Sequence, residues 1–181
     1  MKQLSLSESY AIVLVGIPGS GKTTFAAKFS DTFKVPQIHM ETLQGLASGK
    51  KAAIQIATLQ LAELAKTGKS VVLDLDIYSK AERAALTKQL DTLGYKTVFV
   101  WVQTDTQTAQ TRNKNKHTEA QYDTIVKKFN PLDPAEKAVV ISGKHTYATQ
   151  AKAVLMRLVG KRDTQGAPVP KRSFISIRRD G

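Results

Sequence analysis

Apolar and polar positions follow two rhythms along the chain. Short unbroken apolar runs alternate with longer stretches in which apolar residues return every three or four positions. Tyr10 to Val15 (YAIVLV) is the first run, and its β-branched content predicts a strand buried on both faces. Phe25, Phe29 and Phe33 follow at a spacing of four, which predicts a helix with an aromatic core face. Val35 to His39 reads as a short second strand, with Pro36 tolerated near its start. Gly45 to Lys51 reads as a loop. Ala52 to Lys66 has helical period, with Ile54, Ala57, Leu61 and Leu64 on one face and Gly68 as the stop. Ser70 to Leu75 (SVVLDL) is a third buried strand. Ser79-Lys80-Ala81-Glu82 fits a capping box and starts a helix that runs to Leu93, before Gly94. Lys96 to Val102 is the fourth strand, with Trp101 in its core, and Val139 to Ser142 is the fifth. Thr106 to Lys114, Thr118 to Phe129 and Thr146 to Val159 read as helices. Five strands alternating with helices predict an α/β domain with a mainly parallel sheet. The domain spans residues 1–159, and a basic tail follows over 160–181, with Phe174 to Ile177 as a weak edge strand or arm.

Composition narrows the classes. A length of 181 residues fits one domain, and 41% hydrophobic with 23% charged residues excludes a mainly disordered chain. Cysteine is absent, which excludes disulfides, thiolate nucleophiles and Cys-based zinc sites. His39, His117 and His145 are scattered, with no metal-binding spacing. No apolar run approaches the roughly 20 residues of a membrane helix, and no apolar leader precedes Tyr10. The expected setting is the cytoplasm, with no membrane partner. The net charge of +12 favours a polyanionic partner or substrate, either a nucleic acid or a phosphorylated metabolite.

Gly16-Ile17-Pro18-Gly19-Ser20-Gly21-Lys22-Thr23 fits G-x-x-x-x-G-K-[ST], directly after a buried strand and at the start of a helix. Glycines let the backbone N–H groups of such a loop turn inward around an anion, and the helix N-terminus adds partial positive charge. Gly16, Pro18, Gly19, Ser20, Gly21, Lys22, Thr23 and Thr24 are therefore the expected nucleotide-binding residues. Lys22 can reach the β- and γ-phosphates, and the Thr23 hydroxyl can ligate Mg²⁺.

Asp74 and Asp76 end the third strand, at the edge where a parallel sheet carries its ligand crevice. Alternation sends both to one face if the strand continues through both. A carboxylate there can hold Mg²⁺ beside Thr23; the plainer alternative is a solvated strand end. Thr104 to His117 carries Arg112, Lys114 and Lys116 with almost no large apolar residue. On the residues alone a solvated charged face is the simpler reading. The other is a cover that brings Arg112 and Lys116 to a phosphate chain.

Taken together, GIPGSGKTTFA, TGKSVVLDLD, ERAALTKQLDTLGYK, TRNKNK and IVKKFNPLDPAE resemble the kinase branch of P-loop proteins. The nearest group is the polynucleotide-kinase-like phosphotransferases, with zeta-toxin-type and small-metabolite kinases as wider relatives. The resemblance covers about Ala11 to Val159. It implies a P-loop NTPase fold: a five-stranded sheet in the order 2-3-1-4-5, helices on both faces, and a small basic lid over about 104–130. It implies ATP and Mg²⁺, with Thr23 and Asp74 organising the cation and Arg112 and Lys116 closing over the phosphates. The Gly143 to His145 loop would lie near the base. Glu41 falls where such enzymes carry an Asp general base, and Asp76 is the second candidate. Gln44 stands where they carry an Arg. The activity implied is γ-phosphoryl transfer to a hydroxyl, with a nucleic-acid 5′-hydroxyl slightly favoured as acceptor. The alternatives are a small metabolite or nucleotide sugar, and a non-catalytic ATP-binding module that contacts nucleic acid.

Overall fold

The computed structural model describes residues 8–114 and 116–160. The basic tail beyond Gly160, including Phe174 to Ile177, lies outside the described residues. Five strands form one sheet: β1 (Tyr10–Val15), β2 (Gln37–His39), β3 (Val71–Asp74), β4 (Lys96–Gln103) and β5 (Val139–Ser142). Their order is β2-β3-β1-β4-β5, and every pairing is parallel. The order matches the expectation. β1 is central and buried at every position, as its unbroken apolar run requires.

Among the described residues, seven α-helices surround the sheet: α1 (Lys22–Phe33), α2 (Met40–Leu46), α3 (Lys50–Lys66), α4 (Lys80–Thr92), α5 (Thr106–Asn113), α6 (Glu119–Lys128) and α7 (Tyr147–Val159). Side chains alternate across β1, so each face of the sheet has its own core. Ile12 and Leu14 pack with Phe25 and Phe29 of α1 and Val154 and Leu158 of α7. Ala11, Val13 and Val15 pack on the other face with Leu43 of α2, Leu61 of α3 and Leu90 of α4. The capping box at Ser79 and Glu82 is present and starts α4.

Three expectations need correction. The segment read as a loop from Gly45 to Lys51 is flanked by helix on both sides, because α2 ends at Leu46 and α3 starts at Lys50. α2 has only 7 residues, too few to show a period, and it contains Gly45. On α3 the buried stripe is Ala53, Ala57 and Leu61, while Ile54 is 46% exposed. Trp101 is only partly buried; it packs on Phe129, with ring centroids 6.2 Å apart.

Arg83 is the largest fully buried side chain. Its guanidinium donates to both carboxylate oxygens of Glu136, at 2.6 and 2.9 Å, and to the Asn130 carbonyl at 2.9 Å. Lys80 reaches Asp133 in the same segment at 2.5 Å. The stretch from Asn130 to Glu136, which returns the chain from α6 to β5, is thereby tied to the start of α4.

Candidate active site

The parallel order places the carboxyl ends of all five strands along one edge, and the loop after β1 lies at its centre. Here the strand neighbours diverge: β3 lies on one side of β1 and β4 on the other, which opens the crevice. The loop from Gly16 to Gly21 fills this point. Gly19 has φ +78°, and a Cβ there would sit 2.1 Å from the Ala109 carbonyl oxygen. A glycine is therefore required twice over, by conformation and by contact.

Lys22 begins α1, and its ammonium donates to the carbonyls of Gly16 and Ile17 at 2.8 and 3.0 Å. Burial lowers its pKa below the ordinary lysine value, and the charges of Asp74 and Asp76 oppose that shift. Thr23 and Thr24 stand exposed at the mouth. Pro18 and Ser20 are buried, and the Ser20 hydroxyl has no hydrogen-bond partner among the described residues.

The acidic pair does not share one strand face, because β3 stops at Asp74. Asp74 is 5% exposed, and its Oδ2 accepts no hydrogen bond among the described residues; the His39 Nε2 lies 3.4 Å from it without making one. A buried carboxylate oxygen without a hydrogen bond among the described residues, whose charge acts on Lys22 of the phosphate loop, suits a hard cation such as Mg²⁺. Thr23 and Asp74 are the residues that would hold it. Asp76 is exposed beyond the strand end and accepts from the Tyr78 hydroxyl at 3.2 Å. Burial and the Asp76 charge push the Tyr78 pKa upward, so that hydroxyl stays a donor.

The basic segment does not stand off the protein. Ala109 is fully buried and Asn113 is 3% exposed, so α5 lies backbone-close on the phosphate loop. The lack of large apolar residues is what allows this approach; contact here is made by small side chains and main chain. Arg112, in the last turn, and Lys116, beyond the helix end, both line a cleft of about 410 Å³ with Lys22, Thr23, Thr24 and Lys28. Gly143 and His145 line it too, where the loop after β5 was expected to meet the base. Arg112 has no hydrogen-bond or ion-pair partner among the described residues. Lys116 differs, because it donates to both oxygens of Glu41 at 2.8 and 2.7 Å. That bond lowers the Glu41 pKa below the ordinary carboxylate value. Gln44 lies one turn further along α2, half-buried.

The sequence gives no sign of why position 143 must be glycine. A Cβ there would meet the Thr104 hydroxyl at 2.1 Å and the Ser20 carbonyl at 2.4 Å. The same hydroxyl donates to that carbonyl at 3.0 Å, so Gly143 closes a junction between β4, β5 and the phosphate loop. Gly143→Ala is expected to destabilise the fold by about 1–3 kcal/mol through overpacking. Urea denaturation measures it, and an unchanged midpoint would show that the junction relaxes freely.

Fold and loop together define a P-loop nucleotide-binding protein. A family model described as AAA domain matches residues 12–131, and the chain belongs to that family. No curated protein matches the chain. Among solved structures, a sugar kinase from Janibacter sp. HTCC2649 is similar at 15% identity and TM-score 0.61, over 84% of this chain and 95% of that one. Kti12 from Chaetomium thermophilum, in complex with ADP-AlF3, is similar at 18% identity and TM-score 0.64, over 81% and 96%. A fungal RNA kinase is similar at 15% identity and TM-score 0.60, over 87% and 92%. At these identities the likeness is one of fold. Among the described residues, no helix is long and apolar enough to cross a membrane.

Proposed function

We propose that the protein is an ATP-dependent phosphotransferase that moves the γ-phosphoryl group to a hydroxyl acceptor. One observation carries the reading: a single cleft joins Lys22 of the phosphate loop to Arg112, a cation on α5 without a partner among the described residues. A plain nucleotide-binding loop has no need of a second, exposed cation facing its phosphates; phosphoryl transfer does, because charge shifts onto the moving group and the leaving oxygen.

In this reading the amides of Gly19 to Thr24 cradle the phosphates, and Lys22 leaves its two carbonyl acceptors to meet the β- and γ-oxygens. Mg²⁺, held by Thr23 and Asp74, would supply further neutralisation of that charge. Arg112 binds the phosphoryl group as it moves, and Lys116 exchanges Glu41 for phosphate oxygen. Glu41 and Asp76 are the carboxylates available to take the acceptor proton.

The expected nucleic-acid 5′-hydroxyl is supported by the net charge of +12 and by the RNA kinase among the similar structures. A small hydroxylated metabolite is supported by the sugar kinase and by Gln44, which cannot bind a phosphate as an arginine would. The test is transfer of labelled γ-phosphate in the presence of Mg²⁺, with 5′-hydroxyl oligonucleotides and small alcohols as acceptors. Label should reach an acceptor and be lost in Lys22→Ala. Tight ATP binding with no acceptor labelled would replace this reading with the non-catalytic module.

A further inference from the structure

A second pocket, of about 330 Å³, opens at the carboxyl end of β3 between α3 and α4. Its chemistry is opposite to that of the phosphate cleft. Ile54 and Leu61 of α3, Leu73 of β3 and Leu86 of α4 line it, with Leu75 and Ile77 on either side of Asp76. Asp76 lines it just past the carboxyl end of β3, the strand beside β1 and its phosphate loop. The rim is charged: Lys50, at the start of α3, acts on Glu82, at the start of α4. The pocket also accounts for Ile54, whose spacing belongs to a core face but whose side chain is 46% exposed. The volume falls within the range of small-ligand sites, which are mostly apolar with a few placed polar groups.

We infer that this pocket is the acceptor subsite, that its substrate is a small alcohol with a compact apolar body, and that Asp76 is the general base. The inference rests on the phosphotransferase reading and names its substrate class. A nucleic acid or a polyol would bring many phosphates or hydroxyls against walls that are mostly apolar, with polar side chains only at Lys50, Thr58, Asp76, Glu82 and Gln89. An aromatic or branched-alkyl body removes apolar wall and apolar ligand from water together. Glu41 is less suited, because it does not line this pocket, whereas Asp76 does. Asp76 accepts one hydrogen bond, from Tyr78 to Oδ1. In the step, the Asp76 carboxylate takes the hydroxyl proton as the acceptor oxygen bonds to the γ-phosphorus. The bond from that phosphorus to the β–γ bridging oxygen breaks, and ADP leaves with its electron pair. Products are the phosphate monoester, ADP and the proton on Asp76.

The experiment uses the full chain with labelled ATP and Mg²⁺, and as acceptors benzyl alcohol, 2-naphthylmethanol, glucose and a 5′-hydroxyl RNA oligonucleotide. The aromatic alcohols should exceed glucose and RNA in kcat/KM by about tenfold or more, the discrimination a fitted apolar pocket gives. Asp76→Asn should lower kcat by about 10²-fold or more, and Glu41→Gln by less. Thr58 is exposed on α3 at the pocket wall, so Thr58→Trp can fill the mouth and still fold, which circular dichroism checks. It should raise KM for the aromatic alcohols about tenfold. Independently of turnover, 2-naphthylmethanol should shift the methyl NMR signals of Ile54 and Leu73. Faster transfer to glucose or RNA, without those shifts, overturns the pocket and keeps the phosphotransferase. Shifts with no transfer to any acceptor overturn the phosphotransferase reading, and the acceptor role with it. Normal kinetics in Thr58→Trp or Asp76→Asn would also overturn the inference.

Discussion

Arg112→Ala is expected to reduce turnover by roughly 10³-fold, the lower end of what an arginine facing a transferring phosphoryl group contributes. The ATP dissociation constant should rise far less. The asymmetry follows from where the charge is needed. In the proposed ground state Lys22 and the loop amides already carry the phosphates; without ligand the ammonium is turned into the loop, onto the Gly16 and Ile17 carbonyls. Arg112 stands in the last turn of α5, exposed and unpaired among the described residues, facing the same cleft. A cation with no protein partner loses no bond when it engages a ligand, so its interaction can grow as charge builds on the γ-phosphoryl oxygens. Arg112→Lys should recover only part of the rate, because an ammonium cannot span two oxygens as the planar guanidinium does. Single-turnover kinetics and calorimetric ATP binding separate the two effects. Equal losses in both would place Arg112 in ground-state binding only.

The same helix shows what a sequence can and cannot reveal. The loop from Gly16 to Thr23 is legible because each of its residue types answers a local demand: turn, close approach, charge, hydroxyl. The sheet was legible because strands buried on both faces leave unbroken apolar runs. Packing of α5 was not legible. Its contact with the loop is made by Ala109, Asn113 and backbone, and small residues leave no hydrophobic stripe to read. The pairing of Lys116 with Glu41 spans 75 positions, and neither partner signals the other. The loop of Gly143 was expected near the base, but the need for a glycine there was hidden, since the atoms that exclude a side chain belong to β4, the loop after it and the phosphate loop. Asp74 and Asp76 were found as a pair, but the strand end between them separates their roles: one is buried and without a hydrogen bond, the other exposed at an apolar pocket. Arg83 was hidden most completely, because an arginine in an amphipathic helix reads as surface.

Glu136→Ala should cost about 3–5 kcal/mol of unfolding free energy, since it leaves the Arg83 guanidinium buried without its counter-charge. Arg83 is 1% exposed and spends two of its donors on this carboxylate. The carbonyls of Asn130 and Pro131 that remain cannot neutralise it. Replacing both partners, as in Arg83→Met with Glu136→Leu, should recover much of the loss, because the burial cost of both charges disappears with their attraction. The pH dependence has a definite sign. Arg83 holds the Glu136 carboxyl below the ordinary carboxylate value. Its stabilising contribution is therefore complete above the unfolded pKa, near 4.3, and declines as pH falls towards and through the lower folded value. Urea titrations at pH 7 and at stepwise lower pH should show the wild type losing stability over that window, while Glu136→Ala loses less. A parallel decline in both proteins would assign the acid sensitivity to other carboxylates. The clamp also fixes the chain where it leaves α6 for β5, so loosening it frees the far end of the basic segment from α4. Its loss should then weaken the hold of Lys116 and Arg112 on the cleft before the sheet itself unfolds, and turnover should fall at denaturant concentrations where the strands remain intact.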